Sequence, residues 1–213
     1  MEQVKRYYPI TIRSQEGERG NIHGVPIVLE TPTDINGRFK EIIRAKAITD
    51  ELLKREIKLL SNHNFSGLAM ANTLIPLDKK GGMEIYKNGK DIEFDANLNL
   101  ERSDSKDFYL AVQDGTVRGM SFAFSIEDEE WTDLDTDYPT RYINKIGDIL
   151  EISGVNWPAY PTTSIGARSL ESAETDLEVL ERARALYNTR NADNNATSEL
   201  ELEKLKAKFL YKI

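Results

Sequence analysis

The stretch Arg118-Gly119-Met120-Ser121-Phe122-Ala123-Phe124-Ser125-Ile126 decides how the chain folds. In a β-strand, successive side chains point to opposite faces. Read that way, Met120, Phe122, Phe124 and Ile126 share one bulky apolar face, while Ser121, Ala123 and Ser125 share the other. The first face belongs in a core. The second carries only small side chains, so something must approach it closely. The stretch therefore predicts a strand with one face in the core and one face in close contact.

Working outward, strand patterns flank it on both sides. Upstream, Tyr8–Ile12, Ile22–Leu29, Phe39–Ile43, Ile57–Leu60, Ala71–Leu77, Met83–Tyr86 and Ile92–Leu98 are short apolar or alternating runs between turn-rich breaks. Lys87-Asn88-Gly89-Lys90 carries a strong hairpin dipeptide. Thr49–Arg55 predicts a short helix with Thr49 as N-cap and Asp50 and Glu51 in the first turn, where acids suit the helix dipole. Ser103–Asp114 predicts a second helix, stopped by Gly115. Downstream, Glu127–Asp137 holds seven acids and no base, which predicts a solvated loop or hairpin. It lacks the glycine and terminal glutamate spacing of a calcium loop. Arg141–Ile149 and Leu150–Val155 read as two further strands, and Trp157-Pro158-Ala159-Tyr160-Pro161 ends the β region, since proline does not sit in a central strand.

From Ser169 the pattern changes. Leu170, Ala173, Leu177, Leu180, Arg184 and Tyr187 recur at spacings of three and four, a helical stripe. Asn188–Thr197 is polar and weakly ordered by pattern. Ser198–Lys212 reads as a second helix with acids first and lysines last. The expected class is mainly β with peripheral helices (α+β). A β domain spans 1–168, and a helical C-terminal extension spans 169–213.

Composition narrows the function. The chain has 213 residues, 39% hydrophobic and 30% charged, with a net charge of -8. That is enough for one well-cored domain and an appendage. An acidic chain gains little from counterion release on phosphates, so no specific nucleic-acid partner is expected. No run approaches the roughly 18 apolar residues of a membrane helix, and the opening Met1–Tyr8 has no apolar core of a secretory signal. There are no cysteines, which excludes disulfides and thiolate nucleophiles. With only His23 and His63 in the chain, a zinc site would have to be built largely from carboxylates, and neither metal nor cofactor is implied.

That scarcity leaves two imidazoles as candidate bases. His63 stands in Asn62-His63-Asn64 at the end of an apolar strand, while His23 lies in an alternating strand and reads as structural. A hydroxyl nucleophile needs a base within reach and donors for the oxyanion. Ser121 has small same-face neighbours and Gly119 two residues before it. Taken alone, Ser121 reads as an ordinary buried serine, and His63 as a surface-loop histidine. Glu151, in Ile149-Leu150-Glu151-Ile152, is either a solvent-facing strand residue or a buried acid needing a partner such as imidazole.

Three stretches together resemble the tailed-phage prohead maturation protease family, which is related to the herpesvirus assemblin-type serine proteases. Ile57-Lys58-Leu59-Leu60-Ser61-Asn62-His63-Asn64-Phe65 is similar to the family's strand-then-histidine element. Asp114–Phe124 is similar to its nucleophile strand. Ile149–Pro161 is similar to its acidic-residue strand, closing on the pair Pro158-Ala159. The order is His63, Ser121, Glu151, and the likeness covers about residues 8 to 168. Two departures stand out: Ala123 replaces a common glycine, and asparagines flank His63 where glutamine and aspartate are frequent.

The resemblance implies a serine endopeptidase on a closed antiparallel β-barrel of the herpesvirus-protease type. Ser121 would be the nucleophile, His63 its base and Glu151 the residue that orients His63. Gly119, Met120, Phe122 and Arg168 are the implied candidates for the oxyanion site or cleft. The implied substrates are the major capsid protein, the scaffold protein and the chain itself, inside the assembling prohead in the host cytoplasm. The extension would be scaffold-like or targeting, open to removal by self-cleavage, or a docking stripe for a second copy in a homo-oligomer. The competing reading is a non-enzymatic scaffold or capsid-assembly protein on the same fold.

Overall fold

A computed structural model describes residues 3–8, 12–14, 20–156, 176–191, 201 and 204. The strands are β1 (Gln3–Tyr8), β2 (Ile12–Ser14), β3 (Asn21–Val28), β4 (Thr33–Ile35), β5 (Phe39–Ile43), β6 (Lys58–Ser61), β7 (Ala71–Asn72), β8 (Gly82–Asn88), β9 (Asp91–Asn97), β10 (Gly119–Thr132) and β11 (Thr140–Val155). The helices are α1 (Asp50–Leu53), α2 (Ser103–Gln113) and α3 (176–191). The mainly-β expectation holds.

The decisive stretch is the first half of β10. Met120, Phe122 and Phe124 are fully buried, with the Phe122 and Phe124 rings 4.6 Å apart. They meet Ile22 and Ile27 of β3, Ile92 and Phe94 of β9, Leu52 and Leu53 of α1, and Phe108 and Val112 of α2 in one core. Thr49 caps α1 as the sequence predicts, its hydroxyl accepting from the Leu52 N–H at 3.2 Å. The β8–β9 hairpin closes on Gly89, whose φ of 63° lies in the left-handed region that glycine enters without strain.

The closed barrel is not found. The eleven strands form one sheet in the order β1-β10-β11-β6-β7-β8-β9-β3-β2, with β5 on β11 and β4 on β5. The path ends at β1 and β2, which do not pair, so the sheet is an open half-barrel. Its two edges are consecutive in the chain, and Pro9 in the link between them has no N–H with which to continue a ladder. Nor is the sheet wholly antiparallel. β11 takes β5 and β6 in parallel, and β7 pairs β8 in parallel.

The long strands β10 and β11 decide between the loop and the hairpin expected of the acidic run, and join two expected strands into one. The acidic run is strand through Thr132, opposite β11, in a ribbon beyond the core. The two strands expected over Arg141–Val155 are one strand with irregular register. Ala123 pairs Glu151 but Phe124 pairs Ile149, which leaves Leu150 as an extra residue. Ala71–Leu77 is strand only at Ala71 and Asn72, and Tyr8–Ile12 divides between β1 and β2. β1 begins at Gln3, ahead of the Tyr8–Ile12 run.

Residues 188–191, expected to be weakly ordered, continue α3. Leu180 of α3 packs with Ile35 and Phe39 under Trp131 and Leu134 of the ribbon end, so this part of the extension docks on its own chain. The boundary at 168, the start of the stripe and most of the last helix lie outside the described residues.

Gly154 joins the sheet to α2. A Cβ there would lie 2.5 Å from the Phe108 ring, and its carbonyl accepts the Asn62 N–H at 3.0 Å. Gly154→Ala is expected to cost about 1–3 kcal/mol through overpacking. Urea unfolding checks this, and an unchanged midpoint would remove Gly154 as the contact that sets this spacing.

Candidate active site

Ser121, Ala123, Glu151 and Ser153 share one face of the sheet because Ser121 pairs Ser153 and Ala123 pairs Glu151. β6 lies on the far side of β11, and the chain turns sharply after Ser61. Asn62 and His63 both take left-handed conformations, with φ of 49° and 56°. Asparagine tolerates this region and histidine visits it only occasionally; each non-glycine residue there costs about 1–2 kcal/mol. The turn is held on several sides. Asn62 Oδ1 accepts from the Asn156 N–H at 3.2 Å, and Asn64 Oδ1 accepts from the Ser66 and Gly67 N–H groups, each at 3.1 Å. The two asparagines thus fasten the turn through backbone groups.

The result points the imidazole back over the sheet. His63 Nδ1 stands 2.6 Å from Glu151 Oε1, and His63 Nε2 stands 2.7 Å from Ser121 Oγ. The structure therefore brings the three sequence-predicted residues into one hydrogen-bonded row. Glu151 and Ser121 have no solvent exposure, and the His63 side chain keeps 5%. A carboxylate so buried requires donors on both oxygens. His63 serves one, and the Ser153 hydroxyl donates to the other. The Ser153 oxygen in turn accepts the His63 backbone N–H at 3.1 Å, which locks the turn to the acid.

Chemically, a carboxylate on Nδ1 favours the tautomer with its proton there, and leaves the Nε2 lone pair facing the hydroxyl. Such a row can take a proton from Ser121 and stabilise the imidazolium that forms. Ser121 also donates to the Arg6 carbonyl oxygen at 2.7 Å, and its single proton can serve only one acceptor at a time.

Of the other named residues, Met120 and Phe122 bury their side chains in the core, so they could offer the site only backbone groups. Gly119 begins β10, opposite Val155. Arg168 lies outside the described residues. A cleft of 440 Å³ opens beside the His63 turn and the start of β10, lined by Asn62, Asn64, Leu68, Thr116, Val117 and Asn156 among others. His23 is tied to a different face, 3.2 Å from Asp95, which also accepts from Tyr86 at 2.8 Å. Burial and that carboxylate push the Tyr86 phenol above its usual range.

Sequence reasoning missed two parts of this neighbourhood. Ser153 was signalled by its place two residues after Glu151, on the same strand face. Glu41 was signalled by an acid at a core-facing position between Phe39 and Ile43. It pairs with Arg6 of β1, whose partner in sequence no local pattern reveals.

Comparison with known proteins gives the family. A family model described as Caudovirus prohead serine protease matches residues 8–177. The prohead protease of Enterobacteria phage HK97 is 29% identical over 168 residues, covering 77% of this chain and 67% of that protein. No solved structure matches. With four-fifths of its length, Ser121, His63 and Glu151 included, inside the matched region, the chain belongs to the Caudovirus prohead serine protease family.

Proposed function

We propose that this chain is a serine endopeptidase that matures the phage capsid, with Ser121 as nucleophile, His63 as general base and then acid, and Glu151 as the residue that orients His63. The observation that carries the reading is the continuous row from Glu151 Oε1 through both imidazole nitrogens to Ser121 Oγ, with contacts of 2.6 and 2.7 Å. Ser121 adds to the scissile carbonyl as His63 Nε2 takes its proton. The same imidazole then protonates the leaving amine, and water hydrolyses the acyl ester. Glu151 stabilises the imidazolium without moving. Ser153 is a positioning residue: it touches no substrate, but holds both Glu151 and the His63 backbone.

The family supports a role in the assembling prohead, in the host cytoplasm. The proposed substrates are the major capsid protein, the scaffold protein and the chain itself. Ser121→Ala is expected to lower kcat by about 10⁴-fold or more and to leave capsid protein uncut in assembled proheads. Gel analysis of prohead protein checks this, and normal processing by that variant would overturn the reading.

Glu151→Gln and Ser153→Ala separate orientation from proton transfer. Gln keeps the shape but not the charge, so kcat should fall by about 10²–10⁴-fold with KM little changed. Ser153→Ala strips a donor from a buried carboxylate and should cost about 1–3 kcal/mol of stability as well as kcat. Ser153→Thr, which restores a hydroxyl, should recover part of both. An effect on KM alone would assign Ser153 to substrate binding instead.

A further inference from the structure

The groove beside the nucleophile strand is already filled. β1 runs antiparallel along β10, with Gln3 opposite Ser125, Arg6 opposite Phe122 and Tyr7 opposite Ser121. The Arg6 carbonyl is the one that Ser121 Oγ reaches, at 2.7 Å. An extended peptide added to a sheet edge is a general mode of peptide recognition, with main-chain bonds giving affinity and side-chain sockets giving specificity. β1 has that form, and it ladders to β10 alone. All of β1 but Tyr8 lies outside the family match, which begins at residue 8.

The side chain of Arg6 occupies such a socket. It is 2% exposed, and its guanidinium makes a two-pronged pair with Glu41, through Nε to Oε1 and through Nη2 to Oε2 at 2.6 Å. Nη1 reaches Asp176 Oδ1 of α3 at 3.1 Å. Glu41 also faces Arg141 at 3.4 Å, and Arg141 pairs Glu129 at 2.8 Å. The Arg6 socket is thus walled by the carboxylates of Glu41 and Asp176. A buried ion pair adds little net stability compared with apolar packing. A planar fork on a carboxylate does, however, distinguish arginine from any neutral side chain.

We propose that β1 is the chain's own substrate in place. The site takes extended peptides that present arginine at the carbonyl facing Ser121, Glu41 is the specificity-determining residue, and the Arg6–Tyr7 bond is the processing site. This rests on the function proposed above and adds the substrate class. In the resident state the hydroxyl proton is spent on the Arg6 oxygen. When it turns to His63 Nε2, Oγ adds to the Arg6 carbonyl carbon and the imidazole takes the proton. The Arg6–Tyr7 C–N bond breaks, its electron pair leaves on the Tyr7 nitrogen, and His63 returns the proton to that amine. Water then adds to the acyl ester, leaving a carboxylate on Arg6 and the hydroxyl restored on Ser121.

The test uses the full chain, with intact mass followed over time and a fluorophosphonate probe reporting the reactive serine. The wild type should acquire a new N-terminus at Tyr7, and Ser121→Ala should keep residues 1–6. Glu41→Gln should slow trimming by about 100-fold or more, because a site built for a charged fork rejects its loss strongly. If Glu41→Gln does not fold, Arg6→Gln decides: it should be labelled by the probe yet stay untrimmed. Wild type that is labelled but never trimmed at Arg6–Tyr7, or Arg6→Gln trimmed within about 3-fold of wild type, overturns the inference and leaves the protease reading standing. Wild type that is neither labelled nor trimmed overturns both.

Discussion

A carboxylate with no contact with solvent cannot be left without donors, and the site is arranged around that constraint. Glu151 is fully buried on the small-residue face of the sheet. An unpaired charge there would cost several kcal/mol. Its two oxygens are met by the His63 ring and the Ser153 hydroxyl, and Ser153 then holds the His63 main chain. The acid therefore fixes the imidazole twice, by its ring and by its backbone. Two left-handed residues in succession are tolerated because those bonds, with the Asn62 and Asn64 side chains, over-determine the turn.

The register of β10 on β11 makes this convergence happen. Ser121 meets Ser153 and Ala123 meets Glu151 in continuous register, and directly beyond that pair Leu150 is accommodated as an extra residue. Without the irregularity, Glu151 and Ser153 would keep their face at the site while the residues before Leu150 changed faces, since a shift of one residue inverts a strand. Ile149, buried completely, would then leave the core. The irregularity lets one strand serve the site at one end and the acidic ribbon at the other.

This also explains what the sequence could reveal. The alternation from Met120 to Ile126 is local, so it revealed the core face and the small-residue face that holds Ser121, while the choice of Ser121 came from the family resemblance. Thr49 and Gly89 act within four residues, and their roles were equally legible. The extra residue at Leu150 depends on the partner strand and left no local trace, so one long strand was read as two. The half-barrel was invisible for the same reason. Alternation says which face of a strand is buried, not whether the first and last strands find each other. Arg6 and Glu41 are 35 residues apart, and their pairing follows from the sheet order alone.

Leaving the sheet open has a consequence for β1. In a closed barrel, both edges of β10 would be committed to permanent neighbours, and a peptide could reach Ser121 only from above. Here one edge of β10 belongs to β11 and the other to β1, a short strand with a single ladder neighbour. A strand with one neighbour is held by half the ladder bonds of an interior strand, so it leaves more readily. Arg6 offsets this by anchoring β1 at one deep point, between β5 and α3. The edge next to Ser121 is thus occupied by a strand with one ladder neighbour, the arrangement that the proposed peptide site calls for. The C-terminal helix bears on the same anchor, since Asp176 forms one wall of the Arg6 socket while Leu180 seats the helix on Phe39, two residues from Glu41.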